Sequence, residues 1–240
     1  MKLDNLVEHI TGKYSVTTSS VVAYATAPPF ETREGIVRLA GTDREVRKSP
    51  ERTRRLYRRE QAWVYRIRVT TDHQRGSGSV APVAIATILD LQFGDTRQLS
   101  SPLGPQAIGW TGIQPSFGTI RRFLMDGDIA AGTEAFLVIR DDGTFGFEPV
   151  PSLSGEPLRD ALTMVGASRA LYGEAARAAL IAGICLPVDS PVASIIGGYR
   201  ERGDGDVADL LLSVRDTLEG GEPAAHTVRS ADVDDILDLL

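Results

Sequence analysis

The chain has 240 residues, of which 42% are hydrophobic and 24% are charged. This composition is typical of a globular protein, and the length allows one large domain or roughly two to three small ones. Its apolar runs are shorter than the roughly 18 residues that a membrane helix requires, and the first residues lack the apolar stretch of a signal peptide. We therefore expect a cytoplasmic protein that does not contact a membrane.

Cysteine and histidine usage argues against metal chemistry. The single cysteine, Cys185, excludes an internal disulfide and a cysteine-cluster zinc site. The three histidines, His9, His73 and His226, share no metal-ligand spacing with one another or with carboxylates. No nucleophile–base pair or phosphate-binding loop can be assembled from the other residues. The sequence therefore predicts a protein that is not an enzyme and that has no cofactor and no metal. The enzymatic alternative is a nuclease assembled from scattered carboxylates.

The net charge of −6 is unevenly distributed along the chain. Residues 32–76 carry thirteen basic and six acidic side chains, a net of +7, whereas residues 151–240 carry seven basic and fifteen acidic ones, a net of −8. Screening makes electrostatic recognition local, so the basic segment matters more than the overall sum. The distribution indicates a polyanionic partner for the first third of the chain.

Residues 1–42 predict two helices and a small hairpin. Leu3, Leu6 and Ile10 have helical spacing, Thr17 to Ser20 offer hydroxyl caps for a second helix, and Ile36 to Leu39 alternate as a strand. The stretch SSVVAYATAPPFETREGIVRL resembles the second half of winged-helix modules found beside prokaryotic helicases and nucleases. The alternative is a helical docking module. The resemblance implies DNA contacts by Thr17, Ser19, Ser20, Tyr24 and either Arg33 or Arg38.

Residues 43–62 form the most charged stretch, predicted as a basic helix or linker. The spacing after Ser49-Pro50 favours a helix on which Arg52, Arg55 and Arg59 lie along one face. Such a row of guanidinium groups suits phosphate and bidentate base contacts. A solvated linker helix, or a face that docks an acidic protein, is the alternative.

Residues 63–150 predict a β-rich module with two short helices, at 80–89 and 118–124. Trp63 to Val69 alternates as a strand and is followed by a glycine-rich loop at 72–79. Asp141-Asp142-Gly143 is a strong hairpin signal between the strands at 135–139 and 145–147. The sequence therefore predicts a mixed β module closed by a hairpin.

The motif Leu91-Gln92-Phe93-Gly94-Asp95 and the later Ile129-Ala130-Ala131-Gly132-Thr133 resemble the repeated leucine-x-x-Gly-Asp turn of the DNA-binding pseudobarrel. This is the fold of plant auxin-response-type transcription-factor domains and of some restriction-enzyme effector domains. Thr133 departs from the acidic consensus of the second turn. The resemblance implies a concave face with two arms that enter the major groove.

Carried onto this chain, the first arm holds side chains that read bases or phosphates: Arg66, Arg68, His73, Gln74, Arg75 and Ser77. The second arm holds Trp110, Thr111, Gln114 and Ser116. For Trp110, the alternative is a role as a core anchor. Independently of the resemblance, Arg121 and Arg122 are candidates for phosphate contact, with a solvated surface pair as the alternative.

The last third predicts a helical domain at 151–218, with helices at 158–166, 172–186, 192–202 and 206–218. Residues 219–240 predict a linker and an acidic amphipathic tail that suits protein partners. The fold class expected is α+β, with a winged-helix-like module, a central pseudobarrel and a helical domain. The function expected is that of a DNA-binding accessory protein, with duplex DNA favoured, in a prokaryotic DNA-processing or defence complex. The alternative is a protein-interaction scaffold.

Overall fold

The computed structural model describes residues 1–33, 35–39 and 48–220. It divides the chain into two compact units, one made of residues 1–53 and 70–128 and the other of residues 54–69 and 129–240. Within the described ranges, no helix is long and apolar enough to cross a bilayer. The mixed α+β class is confirmed, and the two units are described in turn.

The first unit begins with two helices, α1 (Leu3–Lys13) and α2 (Thr18–Ala25), and a hairpin of β1 (Phe30–Arg33) and β2 (Ile36–Leu39). The predicted order of helix, helix and hairpin is confirmed. The Thr17 hydroxyl caps α2 by accepting from the Ser20 amide at 3.2 Å. The chain start lies beside β2, where the Val37 amide donates to the Met1 carbonyl at 2.7 Å. We call residues 1–39 the N-terminal module.

The rest of the first unit surrounds a four-stranded antiparallel sheet. Its strands are β5 (Gly78–Val80), β6 (Thr96–Leu99), β7 (Gln106–Gly109) and β8 (Ser116–Thr119), in the order β5-β8-β7-β6. Its helices are α3 (Thr71–Arg75), α4 (Val83–Ile88) and α5 (Arg121–Asp126), preceded by a 3₁₀ turn at Pro50–Arg52. Ile85, Ile108 and Phe117 are fully buried in this part of the chain.

The second unit joins a four-stranded antiparallel sheet to helices. The strands are β3 (Leu56–Arg59), β4 (Ala62–Arg68), β9 (Glu134–Arg140) and β10 (Phe145–Pro149), in the order β10-β9-β4-β3. The helices are α6 (Pro157–Met164), α7 (Gly173–Gly183), α8 (Val192–Glu201), α9 (Gly205–Ser213) and α10 (Arg215–Leu218). Val64, Phe136, Leu162, Leu180 and Tyr199 belong to one continuous core. The predicted helical region and the hairpin at 141–143 are confirmed.

The helix predicted after Ser49-Pro50 is wrong. Only a 3₁₀ turn forms at Pro50–Arg52, and the chain then turns at Arg55, whose φ is +60°, into strand β3. Leu56 and Tyr57 are both fully buried although they are adjacent in sequence. Pairing of β3 with β4 therefore decides the local structure, rather than the spacing of the arginines.

Two further expectations for residues 63–150 differ from the structure. The glycine-rich loop at 72–79 contains helix α3 and strand β5, because Thr70 caps the helix by accepting from the His73 amide at 3.3 Å. The strands expected to form one pseudobarrel pair in two separate open sheets, with β4, β9 and β10 in one and β5 to β8 in the other. The acidic tail from residue 221 onward lies outside the described residues.

Candidate functional site

The N-terminal module contains an apolar groove of about 510 Å³. Helix α1 contributes Leu6 and Ile10, helix α2 contributes Val21 and Tyr24, and the hairpin contributes side chains from both strands. This volume lies in the range of sites that hold ligands or the side chains of a docked peptide. The groove is therefore large enough for several apolar side chains of a partner.

The groove is open because several apolar side chains that line it stay partly or mostly exposed. Among the residues of α1, all of which are described, none has a buried side chain. Two groove residues, Tyr24 and Met1, are 74% and 67% exposed. Contiguous exposed apolar surface on a folded protein is typical of an interaction site. A segment of about 40 residues is also too small to bury a complete core by itself.

Charges are distributed unequally around α1. Successive residues of a helix are rotated by about 100°, so Lys13 and His9 lie within about 60° of Leu6, whereas Asp4 and Glu8 lie about 160° away from it. The carboxylates therefore face away from the groove, and Lys13 stands on the groove side. At the hairpin the groove residue Arg38 donates to Glu31, with 2.8 Å between Nε and Oε1. The groove side of α1 is thus apolar with a cationic edge.

These features define a mixed α+β protein whose first module carries an open apolar groove. No protein-family model, curated protein or solved structure matches the chain.

Arginines that the sequence assigned to DNA are held by carboxylates in the second unit. Arg59 forms a bidentate pair with Glu148, with nitrogen–oxygen distances of 2.7 and 2.8 Å. Arg66 is fully buried and donates to Asp206 at 2.6 Å, with Glu134 at 3.6 Å. Arg55 lies 3.8 Å from Glu134. The expected row of free guanidinium groups on one helix is therefore wrong, because these arginines do not lie on a helix and carboxylates hold them.

The burial of Arg66 has a plain physical cause. Arg66 lies on the same face of β4 as Ala62 and Val64, and that face packs against the helices in the core of the second unit. A charged group there requires a partner, because an unpaired buried ion costs several kcal/mol. Asp206, at the start of α9, supplies it. Arg68, at the end of the same strand, is exposed.

The same unit buries a second charged pair. Arg202 and Asp204 are 3.1 Å apart, and the Arg202 guanidinium also donates to the Leu56 carbonyl. The Asp204 carboxylate accepts from the Arg55 amide at 2.9 Å. Burial raises the pKa of Asp204, and the neighbouring Arg202 opposes that rise. These groups tie β3 to the helices and leave their charges inside the protein.

The first-arm residues after β4 serve local structure in the first unit. His73 accepts from the Thr70 amide at 3.2 Å through Nδ1, and burial lowers the pKa of its imidazole. Arg75 is exposed and lies 3.4 Å from Asp72. Ser77 is exposed and Gln74 is half-buried at the end of α3. Arg52 is exposed in the 3₁₀ turn.

The second-arm residues lie before and at the start of strand β8. Thr111 and Gln114 are exposed in the segment before β8, and Ser116 pairs with Val80. Ser77 precedes Gly78, which pairs with Thr119 at the opposite end of β8. Trp110 is half-buried, with its ring centroid 6.5 Å from that of Phe93. Within the first unit, Ser77 of the first arm and Ser116 of the second arm therefore lie near opposite ends of β8.

The arginine pair of α5 has two different environments. Arg122 donates to the Pro105 carbonyl at 3.0 Å and to the Gln106 side chain at 2.8 Å, and burial lowers its pKa. It therefore fixes the turn before β7. Arg121 is exposed, and its side chain passes close to Gly76. A Cβ added at Gly76 would lie 3.7 Å from the Cδ of Arg121. Arg121 is thus the more exposed of the pair.

The winged-helix resemblance assigned other groups in the N-terminal module to DNA. The Thr17 hydroxyl is engaged in the cap of α2 and lies 2.9 Å from both the Ser19 and the Ser20 hydroxyls. Ser20 and Tyr24 line the groove, as does Arg38. The side chain of Arg33 lies outside the described part. Sequence reasoning thus selected three residues that line the groove, as contacts for DNA.

Proposed function

We propose that the protein is a non-enzymatic interaction protein whose N-terminal module binds an amphipathic helix of a partner protein. The observation that carries the proposal is the open apolar groove, in which Tyr24 and Met1 remain mostly exposed. Helix-in-groove recognition uses apolar side chains at positions i, i+3, i+4 and i+7 of the bound helix. The eleven residues of α1 extend for about 16 Å, which is the length of three helical turns.

The groove also favours a partner helix with an acidic polar face. Lys13 stands on the groove side of α1, and Asp4 and Glu8 face away from it. An acidic flank on the partner would meet the cation and avoid both carboxylates. Complementary charges of this kind set orientation and partner choice more than affinity.

A fluorescence anisotropy titration tests the proposal with a synthetic probe, a labelled 14-residue helix with leucine on one face and glutamate on the other. Tyr24→Ser should weaken binding at least tenfold, because truncating a central aromatic anchor removes more than about 1.4 kcal/mol. Tyr14→Ser is the matched control: Tyr14 is 53% exposed but does not line the groove. It should change binding less than twofold. Equal effects of the two substitutions, or no binding of the probe, would refute the proposal.

DNA binding stays a prediction, and the same titration with duplex DNA separates it from the groove proposal. We expect only non-specific affinity, with Kd weaker than about 1 µM at physiological salt. Nanomolar binding that falls steeply between about 50 and 200 mM salt would favour the DNA-binding accessory role instead. Exposed arginines such as Arg52, Arg68 and Arg121 would then be its contacts, since Arg59 and Arg66 are paired internally.

A further inference from the structure

Helix α2 is exposed over most of its length but carries no charged side chain. Five of its eight residues are exposed: Thr18, Ser19, Ser20, Ala23 and Tyr24. The surrounding run 14–30 contains no aspartate, glutamate, lysine or arginine, although 24% of the whole chain is charged. The outer face of a helix that meets water normally carries charged side chains. Depletion of charge around an exposed tyrosine is instead typical of a protein–protein interface.

The uncharged face of α2 is compatible with an identical face on a second copy of the chain. When two identical surfaces meet across a symmetry axis, charges near the axis lie close to charges of the same sign. Like charges that meet in an interface cost several kcal/mol, so a self-complementary contact favours an uncharged centre. Residues 14–30 provide such a centre. The α1 side of the groove does not, because Lys13 stands there, and that side suits an acidic partner.

The groove lining also supplies much of the apolar surface that a dimer needs. Four lining side chains are between 38% and 74% exposed: Met1, Val16, Tyr24 and Phe30. Fully exposed side chains of such sizes present roughly 150 to 250 Å² each, so the four present about 400 Å² per copy. Two copies contribute about 800 Å², which is about two thirds of the roughly 1,200 Å² at which specific interfaces begin. The exposed α2 residues around Tyr24 supply the remainder.

We propose that two copies of the chain pair through α2 and the groove, with Tyr24 of each copy inserted in the groove of the other. The contact is reciprocal, so each dimer contains two such tyrosine anchors. The pairing covers the surface that the partner helix uses, and self-association therefore competes with partner binding. The competition rests on the proposed function, whereas the pairing itself does not.

Sedimentation equilibrium of the full chain tests the pairing between about 1 and 100 µM, where an interface of this size can dissociate. The native chain should form dimers at the upper concentrations. Tyr24→Ser should weaken dimerisation about tenfold or more, because each dimer loses both anchors. Tyr14→Ser is the matched control, since Tyr14 is exposed but does not line the groove. It should change the dissociation constant less than about twofold.

Ala23→Lys is a second variant, which keeps the tyrosine anchor. It places one cation from each copy on the uncharged face of α2, so dimerisation should weaken about tenfold or more. Ala23 is exposed and lysine is a good helix former, so the module should stay folded, which circular dichroism checks. The inference is overturned if the native chain is monomeric at about 100 µM, or if either variant dimerises as tightly as the native chain.

The synthetic leucine–glutamate helix distinguishes failure of the pairing from failure of the docking function. The expected result is that added probe converts native dimers into monomers. A monomeric native chain that binds the probe in a Tyr24-dependent way would remove only the pairing. Dimers that Tyr24→Ser dissociates, without any binding of the probe, would remove the docking function and the competition but retain the pairing.

Discussion

The N-terminal module and the second unit treat polar and apolar side chains in opposite ways. In the module, Tyr24 is mostly in solvent and α1, fully described, has no buried side chain. In the second unit, even Arg66 and Asp204 are fully buried. The second unit has enough helices and strands to enclose charged groups with their partners, whereas the module has only two helices and a hairpin. In the described part of the module, by contrast, apolar side chains such as Tyr24 and Met1 stay mostly exposed, as the docking proposal requires.

The contrast also shows why a charge count along the arginine-rich segment overstates the number of arginines that are free to meet a partner. A free arginine on a surface attracts polyanions, but a guanidinium that donates to an internal carboxylate has its charge compensated already. Arg58 and Arg59 are both of the second kind, with bidentate partners in Asp141 and Glu148. Local net charge is therefore a poor guide to a binding surface when the acidic partners come from a distant part of the chain.

The largest expected difference between the two regions comes from a matched pair of leucines. Leu162 is fully buried in the second unit, and Leu6 is half-buried in the groove. Leu162→Ala should lower the free energy of unfolding by about 4 kcal/mol, because it leaves a cavity in a packed core. Leu6→Ala should cost less than about 1 kcal/mol. Urea denaturation measures both, and similar costs at the two sites would contradict the comparison.

The next largest effect concerns two arginines of β4. Arg66→Ala should reduce the free energy of unfolding by about 2 kcal/mol, because it empties a fully buried site and removes the cation that Asp206 and Glu134, 38% and 32% exposed, pair with. Arg68→Ala removes an exposed side chain from the same strand and should change stability by less than about 0.5 kcal/mol. Equal losses in thermal or urea unfolding would show that Arg66 is not an internal structural charge.

The smallest effect depends on pH. Hydrogen bonds from Arg59 lower the pKa of Glu148 below its usual value of 4.5. The pair therefore stabilises the fold fully above that value, and this stabilisation is lost as the pH falls through the lowered pKa. Since Arg59 and Glu148 are 28% and 37% exposed, the contribution is about 0.5 kcal/mol.

Glu148→Gln should therefore lower stability slightly at pH 7 and reduce its loss on acidification from pH 6 to pH 3. The surface variant Glu174→Gln serves as the control, since Glu174 is 90% exposed. Urea midpoints recorded at both pH values give the comparison. A native acid dependence that Glu148→Gln leaves unchanged would exclude the pair as its source.

Much of the secondary structure could be predicted because local signals agree with the fold. The apolar spacing of α9 around Val207 and Leu211, and the Asp141-Asp142-Gly143 turn with Gly143 at φ +80°, are examples. Strand β8 was missed because Gly118 and Thr119 resemble the start of a helix. The strand at 56–59 was missed because polar arginines at helical spacing outweighed the adjacent Leu56 and Tyr57. Periodicity is informative when apolar residues carry it, and here charged residues did.

The candidate site was only half visible in the sequence. Ser20 and Tyr24 were selected, but as DNA contacts, and the groove itself depends on the packing of α1 against α2 and the hairpin. One available signal was the small size of the module, which supplies Leu6, Ile10 and Tyr24 to the groove and leaves them partly or mostly exposed. The ion pairs of Arg59 and Arg66 could not be predicted, because Glu148 and Asp206 are 89 and 140 residues away along the chain.

The path of the chain through the second unit has a consequence for how this protein can change. Strand β4 ends at Arg68, and the backbone of Val69 exchanges two hydrogen bonds of 2.8 Å with Gly132 and Thr133 just before β9. The chain thus departs and returns at a single rung of the ladder, with residues 70–128 lying between. Such closely spaced exit and entry points tolerate insertion and exchange. Because these two hydrogen bonds hold the ends of the intervening segment together, the length of that segment does not set the register of β4 against β9.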